Sequence, residues 1–544
     1  MSGWTIIEVM TMILFFNKTV RPLWEGKTSI YAYIRAQGEN VDGSLPDDDE
    51  FWAGSRIRWV AGGLDGAMGR HVRSEQLEAG LGEWVQLLVK LTGKRGKAVR
   101  KVLYAKLVAT DLGGVIDEML HEVRRQPRIR PHVLYQEALW FAEQGAHRNV
   151  VKFGLALLGL FQNEQVKELL MTLGRHDEFT LYAAVAIQNG MEAGNEVLWE
   201  LARDVHGWGK IHLVERLEPT RPEIAAWLLR HGCRNHIMHE YLACLCARKG
   251  DLRQALAAEQ IDGELFEGAT DIVSALLYGG PAEDIDDYAH APQVLADYVR
   301  LARQMCASAR HLALLLELGE FCAQDEEKWR LRLQAGWTER QRHELGEACR
   351  AITADERWKA LVLDAVRSGD ATKLHCGAIC AEKLGIDIWE LLYSQLAANP
   401  LQEAHYHMLG KLDDPARLRR LIALAEERLP LEHIAAGPGN ETGLGREYAA
   451  HRCLDSMLLI AERLEGLGPK LIHAGLNSPV VSNRNKALQA LESWDVTVWG
   501  LKLAAAVVRL TEIEPNEGVK KRISQLRNDK AKGSCRQQKH DAGE

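Results

Sequence analysis

Histidine and cysteine come closest together in the stretch HGCRNHIMH, which contains His231, Cys233, His236 and His239. Imidazole nitrogen and thiolate sulfur are ligands that zinc prefers, and a structural zinc site needs four of them in a tetrahedron. His236 and His239 are one helical turn apart, whereas His231 and Cys233 lie across a glycine from that helix. Turns between stacked helices often collect such residues, so we predict structural or surface roles here and no metal site.

Other pairs have suitable residue types but too few members for a redox or nucleophilic centre. They are Cys376 with Cys380, Cys244 with Cys246, and Glu118 with His121. A di-iron carboxylate site needs two Glu-x-x-His pairs on facing helices, and here there is one. A haem thiolate and a Gly-x-Ser-x-Gly nucleophile turn each need a local context that the chain lacks. The catalytic residues therefore stay unknown, and no flavin, haem or metal site is legible.

Glycines in the stretch GPGNETG form the only candidate cofactor loop. Gly437, Gly439 and Gly443 have a spacing related to the dinucleotide phosphate loop, in which glycines let the backbone approach pyrophosphate at a helix N-terminus. That loop must follow a buried strand. The preceding residues, ERLPLEHIAA, predict the end of a helix and a turn started by proline. We therefore keep these glycines as weak candidates for NADH or NADPH binding and favour a flexible connection.

A basic stretch at residues 90–106 contains seven lysines and arginines and no acidic residue. On a helical array such a stretch can hold phosphate groups. The chain as a whole has a formal net charge of −8, which argues against a dedicated nucleic-acid binder. A solvated helix face is the favoured interpretation, so we do not expect a nucleic-acid partner.

Helices must position all of these residues, because amphipathic segments of about twelve to twenty residues follow one another from about residue 75. Asp413-Asp414-Pro415 is a clear helix start, since an aspartate caps free backbone N–H groups and proline suits the first turn. Leu418, Leu421 and Ile422 then share one face. The segments look alike, although no strict signature repeats at a fixed period. We predict an all-α fold, an irregular α-solenoid of HEAT or armadillo type with an irregular N-terminal cap.

Composition along the chain predicts four parts. They are an N-terminal helix with a glycine-rich cap at 1–74, a helical repeat array at 75–436, C-terminal HEAT-like repeats at 437–514, and a polar tail at 515–544 that is weakly helical at first and unstructured from about residue 528. Residues 29–36 are ambiguous between strand and helix.

The apolar run at residues 4–16 is too short to span a membrane and predicts a buried helix. Ten scattered cysteines indicate reduced thiols and a cytoplasmic protein.

Two stretches, WVAGGLDGAMGRH near the N-terminus and GPKLIHAGLNSPVVSNRNKALQALESW near the C-terminus, carry a family resemblance. They resemble bacterial HEAT-like helical-repeat proteins labelled limonene hydroxylase. The resemblance implies oxygenation of limonene, a small apolar substrate, to carveol and perillyl alcohol with NADH or NADPH, and dehydrogenation of those alcohols. It transfers no catalytic residue, because the matching stretches contain no redox motif.

Alternative functions follow from the architecture. A helical solenoid can bind a protein partner on its concave face without catalysing a reaction. A third, weaker possibility is a solenoid that grips nucleic acid through residues 90–106.

Overall fold

The computed structural model describes residues 21–38, 41, 43–53, 58–71, 81–94, 96–110, 116–162 and 164–541. Within these residues the regular elements are helices. One isolated parallel β-bridge, between Glu441 and Val480, is present besides them. This confirms the predicted all-α fold. In the described part of the chain no helix is both long and apolar enough to cross a bilayer. The chain divides into two compact units. Unit 1 comprises Met1–Cys306 and Glu317–Ile352, and unit 2 comprises Ala307–Leu316 and Thr353–Glu544.

Unit 1 is an array in which alternate helices pack on one another. Its central row consists of α8, α10, α12, α14 and α16, each of which contacts the next one in the row. Helices α7, α9 and α11 lie beside this row. Its helices, in order, are α1 (Ile30–Gln37), α2 (Asp48–Phe51), α3 (Gly63–His71), α4 (Leu81–Leu91), α5 (Gly96–Ala109), α6 (Ile116–Arg125), α7 (Pro131–Gln144), α8 (Arg148–Leu158), α9 (Lys167–Gly174), α10 (Asp177–Gly190), α11 (Gly194–Ala202), α12 (Trp208–Arg216), α13 (Pro222–Trp227, continued by a π-turn at Leu228–Gly232), α14 (Glu240–Lys249), α15 (Leu252–Leu256), α16 (Gly263–Tyr278), α17 (Ala291–Met305), α18 (Ala309–Cys322, which crosses into unit 2), α19 (Glu326–Gln334) and α20 (Glu339–Thr353).

Unit 2 repeats this pattern, with α27, α29 and α31 in one row and α28 and α30 in the other. Its helices are α21 (Arg357–Arg367), α22 (Ala371–Lys383), α23 (Trp389–Ala398), α24 (Glu403–Gly410), α25 (Pro415–Arg428), α26 (Leu431–Ile434), α27 (Ala449–Arg463), α28 (Pro469–Leu476), α29 (Val481–Ser493), α30 (Gly500–Ile513) and α31 (Glu517–Asp541). Short 3₁₀ turns connect several of these helices. Each unit is therefore a stack of helical repeats, as the sequence predicts.

Helix α25 shows why these segments fold as they do. The Asp414 carboxylate accepts hydrogen bonds from the backbone N–H groups of Ala416 and Arg417, and Pro415 occupies the first turn, as the sequence predicts. Leu418, Leu421, Ile422 and Ala425 are buried along one face. The same aspartate N-cap occurs at Asp325 and Asp370, which cap α19 and α22.

Several N- and C-terminal features differ from the expectations. The ambiguous residues 29–36 form α1, which Ser29 caps by accepting from the Ala32 N–H. The glycine-rich cap contains α3. Helix α31 continues past residue 528, and its Val519, Ile523 and Leu526 are buried in the core of unit 2. The predicted helix at residues 4–16 lies outside the described residues. The predicted boundaries at 75, 437 and 515 stay predictions.

Candidate functional site

The central row of unit 1 buries charged and polar side chains where a stacked helix normally buries apolar ones. They are Arg148, Asn149 and Lys152 on α8, Glu178 and Thr180 on α10, and Lys210 and His212 on α12. A buried charge is destabilising unless an opposite charge and hydrogen bonds compensate it. The partners of these side chains therefore show what the row is built to hold.

Much of the compensation comes from the chain's own N-terminal segment, residues 43–53 and 58–71, which lies against α8, α10 and α12. Asp47 makes the first attachment. Its Oδ2 accepts the backbone N–H of Arg148 at 2.8 Å, so it caps α8, and its Oδ1 lies 3.1 Å from Nη2 of the Arg148 guanidinium. Both side chains are 3% exposed. Asp48 makes a further contact with the same guanidinium.

The second attachment is a buried triad. Lys152 Nζ lies 2.7 Å from Asp65 Oδ2 of the segment and 2.5 Å from Glu178 Oε1 of α10. The Gly62 N–H of the segment donates to the other oxygen of Glu178 at 3.0 Å. Burial raises the pKa of the Glu178 carboxyl, but the charges of Lys152 and Arg148 and the Gly62 hydrogen bond outweigh burial and leave the pKa lowered. Glu178 is therefore ionised at neutral pH, and the triad links the segment to two helices of the row.

Glycines bring the segment's backbone against the row. At Gly62, with φ of +70°, an added Cβ would lie 2.5 Å from the Asp177 carbonyl oxygen. At Gly66 an added Cβ would lie 2.2 Å from the indole ring of Trp208 on α12. Neither position has room for a side chain, because the segment touches the row directly. The stretch WVAGGLDGAMGRH thus has a physical role in this contact.

A hydrogen-bonded chain extends the contact at the start of α8. The Tyr104 hydroxyl lies 2.8 Å from His147 Nδ1, and His147 Nε2 lies 3.0 Å from Glu50 Oε2 of the segment. Burial lowers the pKa of His147, against the opposing effect of Glu50. The segment thus contributes Asp47, Asp48, Glu50 and Asp65. Arg148 and Lys152 of the row pair with three of these carboxylates, whereas Lys27 and Arg58 of the N-terminal region pair with Glu50 and Asp48. Arg148 and Lys152 therefore bind carboxylates of the chain's own segment.

Asp177 plays a similar capping role one repeat further on. Its Oδ1 accepts the Gly209 N–H at the start of α12 at 2.8 Å. Burial raises the pKa of this carboxyl to about 6, although backbone N–H groups and His236 oppose the rise. Asp177 therefore changes charge within the physiological pH range.

The predicted histidine and cysteine cluster is dispersed. Cys233 Sγ donates to the His239 carbonyl oxygen at 3.4 Å, and the His236 ring lies against His206 with centroids 5.3 Å apart. Burial raises the pKa of the Cys233 thiol well above its ordinary value. Across the described ranges, no three His, Cys, Asp or Glu side chains are placed to hold a metal ion.

The candidate cofactor glycines lie on a loop that is fastened to the turn between α28 and α29. The Gly437 N–H donates to the Asn477 carbonyl at 2.8 Å, and an added Cβ at Gly439 would lie 3.2 Å from the Pro479 carbonyl oxygen. Gly443 has φ of +76°. Helices α25 and α26 precede this loop. It therefore lacks the strand–loop–helix context that a dinucleotide site requires, and NADH or NADPH binding stays a prediction of the resemblance.

A fully buried ion pair, which sequence inspection missed, holds the same loop in place. Arg484 Nη2 donates to the Gly439 carbonyl at 2.6 Å, and Nη1 donates to the Ser478 carbonyl at 2.6 Å. Its guanidinium also pairs with both carboxylate oxygens of Glu514 at 2.8 Å. This network gives the loop a structural explanation.

Unit 2 has an open groove of about 1070 Å³ between the end of α25, α26, α28 and α30. Leu431, Trp499 and Leu501 line it with apolar surface, and Lys470 and Lys502 lie on its rim. Leu501 is 92% exposed. An apolar substrate of the kind implied by the resemblance would find apolar surface here.

A period of about thirty residues relates successive repeats, which sequence inspection also missed. His147, His176 and His206 come one or two residues before the starts of α8, α10 and α12, spaced 29 and 30 residues apart. Ion pairs between successive repeats have the same spacing, and they are Asp387 with Arg417, Glu390 with Arg420, Arg484 with Glu514, and Glu492 with Arg522. Opposite charges thirty residues apart in the sequence were therefore the signal from which the repeat period could have been predicted.

Comparison with known proteins does not place the chain in a family. No family model matches it, and no curated protein matches it. A crystal structure of an engineered protein is similar over 82% of this chain and 99% of that chain, with 13% identity and a TM-score of 0.23. A similarity of this size carries no argument. Limonene oxygenation and its cofactor stay predictions of the family resemblance.

Proposed function

We propose that this protein is an α-solenoid scaffold that binds a protein partner through the α8, α10 and α12 row of unit 1. One observation carries the proposal, namely that this row already holds a peptide segment of its own chain by buried, charge-matched contacts. Solenoid repeats present extended surfaces for this kind of binding.

The contacts also define the partner's chemistry. Arg148 and Lys152 lie on one helix face, one turn apart, and both meet carboxylates of the segment. Gly62 and Gly66 permit the close approach. A partner that takes the same place would be an acidic segment with small residues beside its carboxylates. Its binding would depend on pairing both cations, because an unpaired buried charge is strongly destabilising.

The tethered segment competes with any such partner. The segment belongs to the same chain as its site, so its binding is intramolecular, and an external peptide binds weakly while the segment is in place. Weakening the internal contacts should therefore expose the row. Asp47→Asn with Asp65→Asn removes one carboxylate from each attachment and keeps the side-chain size.

The experiment measures fluorescence anisotropy of a labelled peptide of residues 43–71 with the full-length protein. We expect saturable binding to the Asp47→Asn/Asp65→Asn variant and at least about tenfold weaker binding to the wild type. A peptide carrying the same two substitutions serves as the matched control and should bind neither protein. If the variant keeps its helical circular dichroism and still binds no peptide, the proposed function is wrong.

A further inference from the structure

Two interhelical turns of unit 1 meet at one end of α4 to α7. Helix α4 ends at Leu91, and Arg130, just before α7, donates from its Nε to the Thr92 carbonyl oxygen at 2.5 Å. Helices α4 and α6 also contact each other. The turn that follows α4 and the turn that follows α6 therefore form one continuous surface.

Positive side chains dominate this surface. Residues 90–97 and 124–132 contain no aspartate or glutamate. The exposed cationic side chains are Lys90, Lys94, Lys97, Arg124, Arg125, Arg128 and Arg130, with exposed His132 beside them. The second stretch, RRQPRIRPH, extends the basic stretch at 90–106 into a patch drawn from two distant parts of the sequence.

The acidic residues of these helices neutralise other cations. Lys106 pairs with Glu83 at 2.5 Å, and Arg100 pairs with Glu137 at 2.6 Å. Within the patch, Arg125 has a long contact of 3.6 Å with Glu122. Arg130 donates to the Thr92 carbonyl oxygen. Among the described residues, no acidic side chain forms an ion pair with Arg130 or with the other members, which are Lys90, Lys94, Lys97, Arg124 and Arg128. The patch therefore keeps its charge although the whole chain is acidic.

We propose that this patch binds the phosphate backbone of double-stranded nucleic acid without sequence preference. Arginine and lysine on two adjacent turns match rows of phosphates, and arginine binds phosphate with two parallel hydrogen bonds. Over the described part of residues 81–132 no large apolar side chain is exposed. The surface therefore offers neither an apolar wedge for a membrane nor an aromatic platform for unpaired bases, which favours duplex backbone.

The test measures binding of the full-length protein to a 24-base-pair duplex of arbitrary sequence by fluorescence anisotropy at 50 to 200 mM salt. We expect the logarithm of the binding constant to fall with the logarithm of salt with a slope of roughly −4 to −6, for about five to seven phosphate contacts. A second duplex of unrelated sequence should bind equally well.

Charge reversal gives the decisive comparison. Lys94→Glu with Arg128→Glu should weaken binding at least about tenfold and make the slope less negative by about 2. Arg303→Glu with Arg330→Glu makes the same change in net charge at exposed cations elsewhere in unit 1 and should leave binding within about twofold. Equal loss in both variants, no duplex binding by the wild type, or binding to phosphatidylserine vesicles alone would overturn the proposal. Thermal unfolding of each variant establishes that it is folded.

Discussion

Lys152 is the most informative single position, because it joins the N-terminal segment to two helices of the row. Its Nζ lies 2.7 Å from Asp65 and 2.5 Å from Glu178, and all three side chains are at most 7% exposed. Lys152→Met keeps the volume of the side chain and removes the charge. Two carboxylates then remain buried beside each other without a cation. Removing one partner of a buried ion pair destabilises a protein by about 3–5 kcal/mol, and we expect a loss of that size.

The pH dependence of this loss distinguishes charge from packing. In the wild type the pKa of Glu178 is lowered, so its stabilising contribution is present above the unfolded value and is lost as the pH falls through the folded pKa. In Lys152→Met, the largest charge that lowers the pKa of Glu178 is gone, and burial then raises the pKa of this carboxyl above its unfolded value. The stability difference between Lys152→Met and the wild type therefore narrows as the pH falls from 7.5 to 5, because the contributions of other titrating groups, such as Asp177, are common to both proteins.

Urea unfolding at pH 7.5 and pH 5, followed by tryptophan fluorescence, measures both effects. Lys167→Met is the matched control, because Lys167 pairs with Glu200 at 2.9 Å on the surface, with side chains 44% and 47% exposed. Surface pairs contribute about 0–1 kcal/mol, so this control should change little. If Lys152→Met lies within about 1 kcal/mol of the wild type at pH 7.5, the segment is not held as we describe.

Three further predictions concern the same row. Asp177→Asn should stabilise the protein at pH 7.5 by up to about 3 kcal/mol and have no effect near pH 4. The pKa of Asp177 is raised to about 6, so its contribution to wild-type stability falls as the pH rises from about 4 to 6, and thermal unfolding across this range measures the effect. Lys210→Met should raise the unfolding temperature at pH 7, because burial lowers the pKa of Lys210 to about 8 and disfavours the charged side chain in the folded protein. The difference from the wild type should shrink as the pH rises from about 8 to 10, and a lower unfolding temperature of the variant at pH 7 would contradict this prediction. Gly66→Ala should loosen the N-terminal segment by about 1–3 kcal/mol through its clash with Trp208 and speed proteolysis within residues 43–71, whereas Gly82→Ala, whose Cβ meets nothing within 4 Å, should not.

Local chemistry made part of the fold predictable from the sequence. The start of α25 follows from Asp414 and Pro415, because a cap bonds to backbone groups two or three residues away. Apolar spacing likewise gave the buried face of α25. The all-α architecture is the sum of many such local signals.

The candidate site was not predictable in the same way, because its contacts are distant in sequence. Asp47 meets Arg148 across 101 residues, and Asp65 meets Lys152 across 87. Charged residues of either sign are common on helices, so no single pairing stands out. Gly62 and Gly66 do signal close backbone approach, but nothing in the sequence identifies Trp208 as the neighbour.

Hydrogen exchange of the wild-type protein, followed by mass spectrometry, tests most directly whether the row holds its N-terminal segment as a detachable ligand. Regions of one protein open with different free energies, and a detachable segment opens before the helices beneath it. We predict that backbone amides of residues 43–53 and 58–71 exchange well before those of α8 and α10. Exchange of the segment only together with α8 and α10 would show that it is an inseparable part of the core and would contradict the proposed binding site.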